Sequence, residues 1–166
     1  PHVAAMTYCT LGDSFCAFCE HVKGLGLLEQ ARALAVESGD REVLGDVCNS
    51  LGLIHQAQGE HAQAVETWLR GYNHYPKRSE NLYEIVKHYR ETGKSELASQ
   101  FYRWAAAIPE PRTDALFLHH DVYQYLLTYE FTVFYYYLQD KSAYPPDAIH
   151  RALFAMLHYD HNLCNV

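Results

Sequence analysis

Long apolar runs and an excess of basic residues are both missing from this chain. No run approaches the about 18 uncharged apolar residues that a membrane helix needs, and no charged-then-apolar leader opens the sequence. Lys and Arg number 13 against 20 Asp and Glu, for a net charge of −7. Because a general nucleic-acid-binding protein needs a basic face, we expect neither a membrane span nor a nucleic-acid partner.

Recognisable catalytic signatures are missing as well. The sequence contains no nucleophile elbow, phosphate loop, dinucleotide fingerprint or H-E-x-x-H motif. No segment alternates apolar and polar residues as a half-buried strand does. We therefore expect no sheet, no catalytic residue and no cofactor, and any enzymatic activity would lie outside this chain.

Cysteine is too sparse for a disulfide scaffold. The five cysteines are an odd number, which is typical of a reducing, intracellular compartment. Cys16 and Cys19 form a C-x-x-C with Cys9 and His21 nearby, but no second pair follows at zinc-ligand spacing. Packing as small hydrophobes is favoured over metal or redox chemistry, so no metal site is predicted. The opening Pro1, in place of Met, suggests a piece of a longer or processed polypeptide.

A helical period is the strongest feature that is present. A glycine, an alanine and an aromatic residue recur after 34 residues: Gly59, Ala64 and Trp68, then Gly93, Ala98 and Tyr102. Glycine permits the turn between two antiparallel helices, alanine lets the helices approach, and the aromatic ring fills the space between units. The period predicts an all-α solenoid of antiparallel helix pairs.

The repeats divide what we expect to be a single domain covering residues 1–166. Turns are predicted near Gly26, Gly59 and Gly93, and Ser79 and Asp121 are predicted N-caps. Close helix–helix contacts are predicted at Gly52, Ala64 and Ala98. The intervals are about 12–44, which is degenerate, then 45–78 and 79–112, and lastly an atypical aromatic-rich helical pair at about 113–160.

The middle of the chain resembles a tetratricopeptide repeat (TPR). The run DVCNSLGLIH at 46–55, followed by Gly59, Ala64 and Trp68, carries this resemblance, which extends over at least residues 12–112. It implies a TPR-like helical-repeat solenoid that binds a peptide or a partner domain on its concave surface.

A second, narrower resemblance covers about residues 79–140. Its segments are NLYEI at 81–85, HYR at 88–90, Ile108-Pro109, Pro111, Leu116-Phe117, DVY at 121–123 and Tyr129-Glu130. Their order is similar to helical-repeat regions attached to glycosyltransferases of microbes and large DNA viruses. This resemblance implies an accessory region joined to a separate catalytic domain, since the chain has no nucleotide-sugar strand–helix pattern and no D-x-D motif.

Outward-looking positions on the first helix of each unit are the candidate partner-binding residues. They are Asn49, Leu53, Gln56, Tyr83, Lys87 and Arg90. Asn49 can hydrogen-bond a peptide backbone, and Lys87 and Arg90 share a helix face. The alternative for each residue is a solvated helix face without a ligand.

Glu130 is a further candidate, because the aromatic residues around it would desolvate its carboxylate. A buried carboxylate needs a partner, and Arg90 is the nearest cation in repeat order. We predict a structural ion pair between Arg90 and Glu130, with an acid of raised pKa as the alternative. The 14 tyrosines are likewise favoured as core filling over sugar stacking.

Together these features predict a non-catalytic interaction scaffold whose partner is a protein or peptide ligand. One alternative is the accessory TPR region of a glycosyltransferase, with an adjoining catalytic domain as its partner. Another is a structural subunit of a large assembly.

Overall fold

A computed structural model describes residues 2–17, 21–111 and 118–163. Every regular element within these ranges is helical, which confirms the all-α prediction, and within α1–α4 and within α5–α8 each helix packs against the next in the chain. The described residues form eight α-helices: α1 (His2–Ala17), α2 (His21–Ser38), α3 (Arg41–Ala57), α4 (His61–His74), α5 (Glu80–Glu91), α6 (Ser95–Ala106), α7 (Leu127–Phe134) and α8 (Ala148–Leu163). A π-helical segment, Val122–Leu126, leads into α7, and a 3₁₀ turn, Tyr135–Tyr137, follows it.

The contacts group into two compact units where the sequence analysis treats the chain as one domain. Unit 1 is Pro1–Lys77 and unit 2 is Arg78–Val166. Unit 1 holds α1 to α4 and unit 2 holds α5 to α8. The first helix pair spans His2–Ser38, so the interval 12–44 begins inside α1.

The core of unit 1 depends on small residues that let its helices approach. Trp68 of α4 is 0 % exposed and lies over Gly52 of α3, where an added Cβ would come within 2.2 Å of the indole Nε1. The same Nε1–H donates to the carbonyl oxygen of Asn49 at 3.1 Å. The close contact predicted at Gly52 is confirmed, and Ala64 and Ala98 are fully buried as expected.

Two of the three predicted glycine turns are confirmed and one is wrong. Gly59 and Gly93 have φ angles of 78° and 71°, in the left-handed region where glycine is favoured. Gly26 lies inside α2, which runs unbroken from His21 to Ser38. Glycine within a helix costs only about 1 kcal/mol relative to alanine, so its presence did not require a turn. Gly39, with φ of 69°, instead marks the end of α2.

Unit 2 is packed largely through aromatic rings. Phe131 of α7 stacks on Tyr102 of α6 with ring centroids 5.0 Å apart, and Tyr144 also lies 5.0 Å from Phe131. Tyr125 of the π-helical segment stacks on Tyr159 of α8 at 4.3 Å. These rings join helices of the unit, as expected for core-filling aromatic residues, whereas Tyr129, Tyr136 and Tyr137 are exposed and do not fill the core.

Ser79 stands at the N-cap position of α5, as predicted, but neither Ser79 nor Asp121 makes a side-chain capping bond in the described structure. Within the described residues the Ser79 side chain makes no capping bond, and its own N–H donates to the Tyr123 hydroxyl at 3.0 Å. Asp121 already has helical backbone angles, so its side chain does not stand in front of the helix as a cap must.

Candidate functional site

The polar residues of unit 2 are positioned by α5, which is buried on more than one side. Its apolar residues Leu82, Ile85 and Val86 are fully buried, and α5 packs on α6, on the π-helical segment and on α7. Glu80 lies in its first turn and Arg90 in its last, so both complement the helix dipole. Because of this packing on several sides, three polar residues of α5 are buried: Glu80, Asn81 and His88.

Glu80 forms a buried polar cluster at the start of α5. Arg78 contacts its Oε1 through Nε at 3.0 Å and Nη2 at 2.7 Å, and both side chains are buried. The Tyr123 hydroxyl donates to Oε2 at 2.9 Å, and the His119 N–H donates to Oε1 at 3.3 Å. Burial raises the pKa of Tyr123 to about 12, so its hydroxyl remains a proton donor. The cluster fastens the start of α5 to the segment before α7.

The structure brings Arg90 and Glu130 together between α5 and α7. Arg90 Nε lies 2.6 Å from Glu130 Oε2, and Nη2 lies 3.1 Å from Oε1. The Glu130 side chain is only 2 % exposed, whereas Arg90 is partly exposed. Such a two-point contact between guanidinium and carboxylate has strict geometry. Its position between the helices fits a structural role.

Glu84 is a carboxyl group that the sequence analysis did not single out. Its Oε2 is buried with no hydrogen-bond partner among the residues that the structure describes. Burial raises the pKa of Glu84 from 4.5 to about 7; Lys87 opposes the rise, and Glu130 and Glu91 add to it. A carboxyl that titrates near neutral pH is a typical feature of functional sites. The sequence feature that could have drawn attention to Glu84 is its spacing. Asn81, Glu84 and His88 lie three and four residues apart, which places them on one face of α5.

The six candidate partner-binding residues divide between α3 and α5. On α3, Leu53 is exposed, while Asn49 and Gln56 are partly buried. On α5, Lys87 is partly buried, and Tyr83 is only 7 % exposed. Burial also raises the pKa of Tyr83. Tyr83 therefore does not look outward as the helix positions suggested, and Arg90 is engaged with Glu130.

A groove lies in unit 2 between the end of α5, the start of α6 and the 3₁₀ turn after α7. We call it the α5–α6 groove, and its volume is about 760 Å³. Its charged side chains have both signs, and Tyr137 at its edge is 73 % exposed. Glu96 Oε1 accepts a hydrogen bond from the Gln139 N–H at 2.8 Å, which ties α6 to the chain after α7. The lining of the groove includes the side chains of Arg90, Glu91, Lys94, Glu96, Val133 and Tyr137.

The cysteine and histidine candidates offer no assembled metal ligands in the described part of the chain. Cys9 and Cys48 are buried, and burial raises the pKa of the Cys48 thiol. The C-x-x-C cannot be placed, since Cys19 and the Cys16 side chain lie outside the described residues. His120 forms an exposed pair with Glu110, with Nδ1 2.5 Å from Oε1.

Comparison with known proteins finds no matching family model, no similar curated protein and no similar solved structure. The TPR and glycosyltransferase-associated resemblances therefore stay predictions from the sequence. Among the described helices, none combines the length and apolar character required to cross a bilayer.

Proposed function

We propose that this chain is a non-catalytic protein-interaction module that binds a peptide segment in the α5–α6 groove. The groove is the observation that carries the proposal. Its volume of about 760 Å³ falls within the range of about 300–1,000 Å³ that is usual for ligand pockets. The end of α5, the start of α6 and the 3₁₀ turn after α7 contribute its walls.

The side chains of the groove suit a peptide of mixed charge. Arg90 and Lys94 are opposed by Glu91 and Glu96, so neither strongly acidic nor strongly basic ligands are favoured by charge alone. Tyr137 presents an exposed ring beside them, and tyrosine is enriched among residues that dominate binding energy. We therefore expect a peptide with an apolar anchor residue flanked by charged ones.

The experiment uses two neighbouring tyrosines as a matched pair. Tyr136 and Tyr137 are 63 % and 73 % exposed, and of the two only Tyr137 is among the groove residues that the structure describes. Peptides selected from a random displayed library against the whole chain are measured by fluorescence anisotropy. Tyr137→Ala should weaken their binding about tenfold or more, while Tyr136→Ala should change it less than about twofold. Equal losses in the two variants, or a library that yields no binding peptide, would count against the proposal.

A glycan-positioning role is the second candidate, because unit 2 begins at Arg78 and the glycosyltransferase-associated resemblance begins at about residue 79. Under this alternative the groove holds a sugar chain beside an adjoining catalytic domain, with the Tyr137 ring as the stacking surface. A panel of neutral oligosaccharides is titrated against the same two variants. Sugar binding that depends on Tyr137, without peptide binding, would favour this candidate over the first.

A further inference from the structure

The four charged side chains of the α5–α6 groove are not equally available to a ligand. Arg90 directs Nε and Nη2 to the Glu130 carboxylate, at 2.6 and 3.1 Å, and Glu130 is only 2 % exposed. Lys94 holds its Nζ over the ring of Tyr89, 5.8 Å from the centroid, and Tyr89 is not among the described residues that line the groove. Both cations of the groove are therefore directed to groups of the chain itself.

The two carboxylates of the groove each keep an oxygen for a ligand. Glu91, the last residue of α5, is 39 % exposed, and its Oε1 lies 3.3 Å from Arg90 Nη2. Glu96, in the first turn of α6, is exposed, and its Oε1 accepts the Gln139 N–H at 2.8 Å. Among the described residues, no group bonds to Oε2 of either glutamate. The groove therefore presents free carboxylate oxygens from two different helices.

The charge and the exposed ring of the groove both suit a cation. Because Glu130 matches the charge of Arg90, two carboxylates remain in the groove against Lys94 alone, and the whole chain carries −7, which attracts cations at longer range. Tyr137 of the same groove is 73 % exposed, and the face of an aromatic ring attracts a cation. Arginine fits best, since its planar guanidinium pairs with carboxylates and also stacks on rings.

We propose that the α5–α6 groove binds one arginine side chain of its peptide, with the guanidinium between Glu91 and Glu96 and stacked on Tyr137. The inference rests on the proposed function and specifies which charge flanks the apolar anchor of the peptide. Val133 and Leu97 also line the groove, and they remain as the apolar contact for that anchor. The arginine and the anchor therefore occupy different parts of one groove.

The test uses peptides selected from a random displayed library against the whole chain, in which arginine should be enriched at a fixed distance from the apolar anchor. By fluorescence anisotropy, Glu91→Gln and Glu96→Gln should each weaken binding about threefold, and the double variant about tenfold. Glutamine at position 96 keeps an oxygen that accepts the Gln139 N–H. The control Glu66→Gln makes the same change in net charge at a side chain of α4 that is 70 % exposed, and it should alter binding less than about 1.5-fold.

A change in the peptide tests the same contact without altering the protein. Glutamine in place of the peptide arginine should weaken binding about tenfold, and the glutamate variants should then bind that peptide as well as the wild type does. Lysine should restore only part of the loss, because it lacks the planar guanidinium.

The outcomes separate this inference from the proposed function. Peptides that bind through Tyr137 but carry no enriched arginine, or that bind the two glutamate variants as tightly as the wild type, would overturn the inference and leave the proposed function standing. A library that yields no binding peptide would overturn both.

Discussion

Gly52→Ala should destabilise unit 1 because the contact between α3 and α4 leaves no space for a methyl group. A Cβ at this position would lie 2.2 Å from Nε1, 2.5 Å from Cδ1 and 2.7 Å from Cε2 of Trp68. The ring cannot move away freely, since it is 0 % exposed and its Nε1 is bonded to the Asn49 carbonyl at 3.1 Å. The substitution must therefore shift the indole or separate the two helices.

The expected loss can be worked from three contributions. Overpacking of a buried site costs about 1–3 kcal/mol, and displacing the indole from its hydrogen bond costs about 1 kcal/mol more. Replacing glycine by alanine in a helix returns about 0.5–1 kcal/mol. The net result is a loss of about 1–3.5 kcal/mol, or a fall of about 2–14 °C in the melting temperature for a chain of this size.

Gly26→Ala is the matched control, because the same substitution is made in another helix where space is open. No described atom lies within 4 Å of a Cβ built at Gly26, so only the helix-propensity gain of about 0.5–1 kcal/mol should remain. Thermal unfolding by circular dichroism should thus show the two variants moving in opposite directions from the wild type. A Gly52→Ala variant as stable as Gly26→Ala would refute the assigned contact with Trp68.

Two further substitutions test unit 2. Ala98→Leu should cost about 1–3 kcal/mol by overpacking a fully buried position of α6, whereas Ala106→Leu, at an exposed position of the same helix, should stay within about 0.5 kcal/mol in thermal unfolding. Glu130→Gln should lower stability by about 1–3 kcal/mol, because Arg90 loses a charged acceptor in a buried setting. If Glu130→Gln instead left the melting temperature unchanged and abolished an enzymatic turnover measured with the wild type, Glu130 would be a catalytic residue.

The fold was predictable where a single residue type satisfies a local requirement. Gly59 and Gly93 mark turns because left-handed backbone angles favour glycine, and Gly52 marks a close approach because a side chain would collide there. The same reasoning fails at Gly26, since a helix tolerates glycine at modest cost. At Ser79 only the position is confirmed, since its side chain makes no capping bond and its own N–H donates to Tyr123, far along the chain.

The candidate site was predictable only in part, for a similar reason. The Arg90–Glu130 pairing follows from a general rule that a buried carboxylate requires a cation. The raised pKa of Glu84 follows from no rule about its neighbours in sequence, because its main cause is burial, which arises only when the unit packs around α5. The groove likewise joins Lys94 to Tyr137 through packing that the repeat period does not specify.

The bond between Tyr123 and Glu80 has a consequence for how the protein is made. The two residues are separated by 43 positions, so the ribosome must extend the chain well past α6 before the hydroxyl can reach the carboxylate. Until then the Arg78–Glu80 pair lacks the tyrosine that helps to enclose it. The start of α5 can therefore be completed only late in synthesis, and a nascent chain that stalls before residue 123 would expose this polar cluster to water.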